Sequence, residues 1–110
     1  MSKRVAVLIR DRERQYEGLR TALGLLLEDH EVSMFVLDHE VDTAEAYQEN
    51  VELLDEMDGK RYSNAPVNVE RHGFAPTNLS EVAAMLRDND LVIPYERSGD
   101  EDPARFPFEA

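Results

Sequence analysis

A chain of 110 residues with 42% hydrophobic side chains bounds the fold to one small domain with a single core. It contains no cysteine, which excludes disulfides, thiolate metal sites, cysteine nucleophiles and persulfide carriers. A formal net charge of −12 repels nucleic acid, and the densest basic stretch, Arg10 to Gln15, is interrupted by Asp11 and Glu13.

The N-terminus, "MSKRVAVLIR", places basic residues before an apolar run, but that run extends only from Val5 to Ile9 and no cleavage site follows. It is too short for a signal peptide, and every other apolar run is too short to span a membrane, so a cytoplasmic protein is expected. The twelve cations include only two lysines, Lys3 and Lys60. That bias suits a salt-adapted protein, and a GC-rich genome would also produce it.

In chain order, "RVAVLI" at Arg4–Ile9 is β-branched and continuously apolar, as in a parallel strand buried on both faces. The charged segment "RDRERQYEG" follows. Leu19, Ala22, Leu23, Leu26 and Leu27 recur at helical spacing, and Glu28-Asp29-His30 closes that helix. "EVSMFVL" at Glu31–Leu37 reads as a second buried strand. Asp42 with Glu45 reads as a capping box for a helix with Ala44, Tyr47, Val51 and Leu54 on one face, and Gly59 is its expected stop. "KRYSNAP" reads as a loop and "VNVE" at Val67–Glu70 as a short third strand. Asn78 with Glu81 caps a third helix, whose buried stripe is Leu79, Val82, Ala83 and Leu86. "LVIPY" is the fourth strand, with Pro94 at its end or on an edge.

Strands are thus expected near residues 4–10, 31–37, 66–70 and 90–95. The β-α-β-α-β-α-β alternation predicts an α/β fold, a flavodoxin-like three-layer sandwich on a mostly parallel sheet of four to five strands ordered 2-1-3-4. Residues 1–95 form the domain and 96–110 an acidic tail, in which Phe106-Pro107-Phe108 reads as an arm reaching for a surface.

Ligands in open α/β sheets bind beyond the carboxyl ends of strands, where the strand order reverses. With order 2-1-3-4, the crevice lies between strands one and three. Arg10, Asp11, Arg71 and His72 are then the expected ligand-binding residues, rimmed by Asp38, His39 and Tyr95. There is no H-x-x-x-H pattern, no G-x-G-x-x-G and no G-K-[ST], so no metal, nucleotide or other cofactor is expected. The acidic pair and late lysine of a response-regulator receiver are also missing.

The stretches "KRVAVLI", "DHEVSMFVLD", "NAPVNV", "RHGF" and "LSEVAAMLRDNDLVI", over Lys3 to Tyr95, resemble the DsrE/DsrF/DsrH-like family, which includes the Tus sulfur-relay subunits. The resemblance implies a flavodoxin-like domain that assembles with itself or with related subunits. Active members carry a persulfide on a cysteine after the third strand, which places His72 near the position of that thiol. Without cysteine, persulfide sulfur transfer is excluded. The resemblance then implies a non-catalytic oligomer subunit or small-anion-binding protein associated with sulfur metabolism. Two alternatives stand beside it: a small enzyme acting on an anionic substrate with His72 as acid or base, and a fold-only relative with an unrelated role. Six aromatic residues, Tyr47, Tyr62, Phe74, Tyr95, Phe106 and Phe108, argue for an interface with another chain.

Overall fold

The structure is a computed structural model and describes residues 2–96. The expected acidic tail beyond Glu96, with its Phe106-Pro107-Phe108 arm, lies outside the described residues. The elements are β1 (Arg4–Ile9), a 3-10 turn (Arg12–Arg14), α1 (Gln15–Leu27), β2 (Glu31–Val36), α2 (Glu45–Glu56), β3 (Lys60–Ser63), α3 (Pro66–His72), β4 (Ala75–Pro76), α4 (Leu79–Arg87) and β5 (Leu91–Tyr95).

All five strands are parallel, as the α/β reading expects, but their order is β4-β3-β2-β1-β5 and not 2-1-3-4. The difference starts at one segment. "VNVE" is helical, within α3, and the third strand is the preceding "KRYS". Pro66 opens α3 at a position where its missing N–H costs nothing, Arg71 and His72 fill the last turn, and Gly73 closes the helix at φ 72°. Those end signals outweigh the strand preference of two valines.

β1 lies at the centre, with Val5 opposite Val32 of β2 and Leu91 of β5. Its alternate residues face opposite layers. Val7 and Ile9 join Val32, Met34 and Val36 beneath α1 and α2, packed with Leu19, Leu23, Leu26, Tyr47 and Leu54. Ala6 and Leu8 join Phe35, Leu37 and Val82 beneath α4. The sheet therefore carries helices on both faces, with the larger core on the α1–α2 side. Gly18 lets α1 approach β1 closely, because a methyl group there would overlap the buried Ile9 side chain.

Capping was legible at α4, where Asn78 Oδ1 accepts the Glu81 N–H at 3.0 Å. The expected Asp42–Glu45 box does not form: α2 starts at Glu45 behind Ala44, which makes no side-chain cap. Asp42 instead exchanges two backbone bonds with the buried Gln15 side chain, at 2.8 and 3.0 Å. Nor does Gly59 supply the turn after α2. Asp58 does, at φ 65°, as Asp29 does after α1 at φ 68°. An aspartate there tolerates the left-handed backbone but opposes the helix dipole. Asp58→Asn keeps the first property and removes the second, so it should raise stability by about 0.5 kcal/mol. Thermal denaturation at low salt measures this, and an unchanged or lower midpoint would refute it.

Candidate functional site

The carboxyl edge of β1 is occupied by the protein's own ion pairs. Arg10 reaches Asp38, just beyond β2, at 3.1 Å and Glu96, just beyond β5, at 3.6 Å. Arg14 donates to the Glu96 carbonyl at 3.1 Å, and its guanidinium lies 4.9 Å from the centre of the Tyr95 ring. Asp11 is buried and accepts the Glu13 N–H at 3.0 Å, capping the 3-10 turn. These ion pairs join three strands at this edge.

Asp38 also takes a bond from Asn64 Nδ2 at 2.9 Å. That bond, followed by the Arg10 guanidinium, holds its carboxyl below the usual value despite partial burial. Burial also lowers the pKa of its neighbour His39 and so favours the neutral ring, against the raising effect of its Leu37 carbonyl contact. Nδ1 lies 3.0 Å from that carbonyl, which assigns the proton to Nδ1 and leaves Nε2 buried without a partner.

A second location has a different character. Between α2 and α3 lies a cleft of about 290 Å³, lined in part by Tyr47, Glu52, Asp55, Arg61, Arg71 and His72. Arg61 is its structural clamp. It holds Asp55 of α2 through two bonds of 2.8 Å, donates to the His72 carbonyl at 2.8 Å, and stacks 4.9 Å from the Phe74 ring centre. Its bonding capacity is largely used within the chain.

Three other side-chain groups in the cleft make no hydrogen bond among the described residues. The Tyr47 hydroxyl has no hydrogen-bond partner although the residue is only 3% exposed. Burial pushes its pKa far above the ordinary value, so it remains a donor. His72 Nε2 is also buried without a hydrogen bond, and the Glu40 carboxylate lies 3.6 Å away. The Arg71 side chain makes no ion pair or hydrogen bond among the described residues. An orphaned buried donor costs about 1–3 kcal/mol. The Tyr47 hydroxyl is such a donor, in the cleft that Arg71 and His72 also line.

The four expected residues are thus divided into two pairs. Arg10 and Asp11 stand beyond β1, whereas Arg71 and His72 end α3, and β2 separates β1 from β3. No hydrogen bond or ion pair joins the pairs among the described residues. The premise that brought them together, adjacency of strands one and three, does not hold. His72 does not follow a strand, and the residue after β3 is Asn64.

Tyr47, Arg61 and Glu52 were missed as site residues. The available signal was a tyrosine, rather than a phenylalanine, in the buried stripe of α2. Four of the aromatic residues that suggested an interface are engaged by this chain itself. Tyr47 and Phe74 are in the core, Tyr62 stacks on Phe35 with ring centres 5.1 Å apart, and the Tyr95 hydroxyl bonds Thr21.

A larger opening of about 540 Å³ lies at the amino edge, rimmed by Arg4, Glu31, Asp58, Lys60 and Asp88. It contains none of the unpartnered buried polar atoms. Among the described residues no cluster of side chains suits a metal ion, and no helix is long and apolar enough to cross a membrane. No protein-family model, no curated protein and no solved structure matches the chain.

Proposed function

We propose that this is a non-catalytic ligand-binding domain that holds the anionic group of a small molecule in the α2–α3 cleft. The observation that carries the reading is the buried Tyr47 Oη, which has no partner, in a cleft that Arg71 lines and where His72 Nε2 is buried with no hydrogen bond and only the Glu40 carboxylate near it, at 3.6 Å. A neutral phenol and a guanidinium bind carboxylate or oxoanion oxygens without needing a metal. The cleft supplies donors and charge, but no nucleophile paired with a base, which favours binding over chemistry.

Tyr47→Phe is the discriminating variant. It removes an unsatisfied buried hydroxyl, so the ligand-free protein should become more stable by about 1 kcal/mol, while anion binding weakens. Thermal shift with acetate, phosphate and sulfate measures both effects. A destabilised Tyr47→Phe protein that still binds as the parent does would end the proposal.

The link to sulfur metabolism rests on the DsrE-like resemblance and enters through sulfite and thiosulfate in the same panel. Preference for either would support it, and indifference would remove it. Self-association, or assembly with related subunits, belongs to the same reading. Among the described residues β5 pairs only with β1 and leaves an open edge. Acidic chains that meet there repel one another, so sedimentation should show larger species at high salt than at low salt. A monomer under both conditions counts against self-assembly.

A further inference from the structure

The cleft carries both signs of charge: Arg61 and Asp55 pair with each other, whereas Arg71 and Glu52 do not. Arg71 lines it from α3 and Glu52 from α2; both are exposed, and no ion pair within 4.0 Å joins them or engages either among the described residues. Glu52 has no cation within its own helix. α2 contains no Lys, Arg or His, and the residues four positions away from Glu52 are Gln48 and Glu56. Opposite charges that line one small opening with a buried phenol donor suit a dipolar ligand.

The field of the protein argues in the same direction. A bare anion must approach a chain of net charge −12, past Glu52 and the other carboxylates of α2. A ligand with one charge of each sign avoids that repulsion and gives Glu52 a partner. We infer that the ligand is a small zwitterion of the amino-acid class. Its carboxylate lies toward Arg71 and the Tyr47 hydroxyl, and its ammonium toward Glu52. The inference rests on the proposed role of the cleft and narrows it from anions to zwitterions.

Calorimetric titration of the whole chain with matched triplets tests this. Serine, 3-hydroxypropionate and ethanolamine share a skeleton and differ in which charges they carry, as do alanine, propionate and ethylamine. The standard amino acids extend the panel. At least one amino acid should bind about 10-fold or more tightly than its carboxylate-only and amine-only partners, the size of one hydrogen bond to a charged group. Glu52→Gln should abolish that advantage, weakening the amino acid by loss of its ammonium partner and strengthening the carboxylate by loss of a like charge. Arg71→Ala should weaken both ligands. Glu52 and Arg71 are exposed, and circular dichroism confirms that the variants fold. Carboxylates that bind as well as amino acids overturn the zwitterion assignment and leave the anionic-group reading standing. No binding of any amino acid, carboxylate, phosphate or sulfate overturns both.

Discussion

Asn68→Ala should lower the unfolding free energy by about 3–5 kcal/mol, an unusually large loss for one polar residue. Asn68 is 0% exposed and its amide is a three-way junction. Oδ1 accepts the Val41 N–H at 3.0 Å, and Nδ2 donates to the His39 carbonyl and to Ser63 Oγ, both at 2.9 Å. Together with Gln15 on the other side, it pins the loop between β2 and α2 as a neighbouring strand would. Truncation leaves a buried N–H and a carbonyl without partners, and each orphan costs more than a hydrogen bond contributes when formed. Ser63→Ala removes one arm of the junction and the acceptor of the Ala65 N–H, and should cost about 2 kcal/mol, because Asn68 keeps its two backbone bonds. Urea titration reads both values from the midpoint, provided the slope is unchanged. If Asn68→Ala cost no more than Ser63→Ala, the loop would not depend on this junction. The loop carries both Asp38, which holds Arg10, and Glu40, which faces His72. Asn68 should therefore also affect the cleft.

Phe35→Ala comes next, at about 3–4 kcal/mol. The ring is fully buried on β2, stacked on Tyr62 at an interplanar angle of 17°, and packed with Leu8 and Val82 under α4. Its removal costs the transfer energy of the ring, the stacked pair and the contacts around the space it leaves. The site borders the amino-edge opening, so water can relieve part of the void, which argues against a still larger loss. Phe35→Leu fills most of the volume and should cost about 1 kcal/mol. If the two substitutions cost the same, packing on this face would not depend on the ring.

Much of the fold was legible, for identifiable reasons. β1 and β2 are apolar runs that the sheet buries, and Leu19, Ala22, Leu23 and Leu26 of α1 are buried as their spacing implies, whereas Leu27 is exposed and the apolar run of β5 is only half-buried at an edge. β3 was not legible because its four residues, Lys60 to Ser63, include two cations. Arg61 lies in the interior by virtue of Asp55 and the Phe74 ring, tertiary partners that no local pattern reveals. β4 has two residues and presents no periodicity at all. α3 was misread because Val67 and Val69 favour strands. Pro66 and Gly73 spelled a seven-residue helix, and the buried Asn68 needed one to reach its three partners. The strand order failed with β3, since moving one strand relocates the point of reversal to between β1 and β5. Arg71 and His72 were selected by a rule for strand ends, yet they line a cleft because they end a helix. Tyr47 was hidden because a tyrosine in an apolar stripe reads as core until its hydroxyl is followed.

The unequal covering of the sheet has a consequence for local opening. On one side α1 and α2 bury a broad set of residues. On the other, among the described residues, α4 is the sole helix, held by Val82 with the half-buried Met85 and Leu86, while Leu79, Ala83 and Ala84 face outward. Little apolar area must be re-exposed to lift α4, so it should detach at a free energy well below that of global unfolding. Amide hydrogen exchange would then be faster along Val82–Leu86 than along Val5–Ile9. The α1–α2 side and the cleft beside it would stay closed during such openings. The protein would breathe through the face opposite its ligand, and Phe35 would be transiently wetted while Tyr47 remained dry.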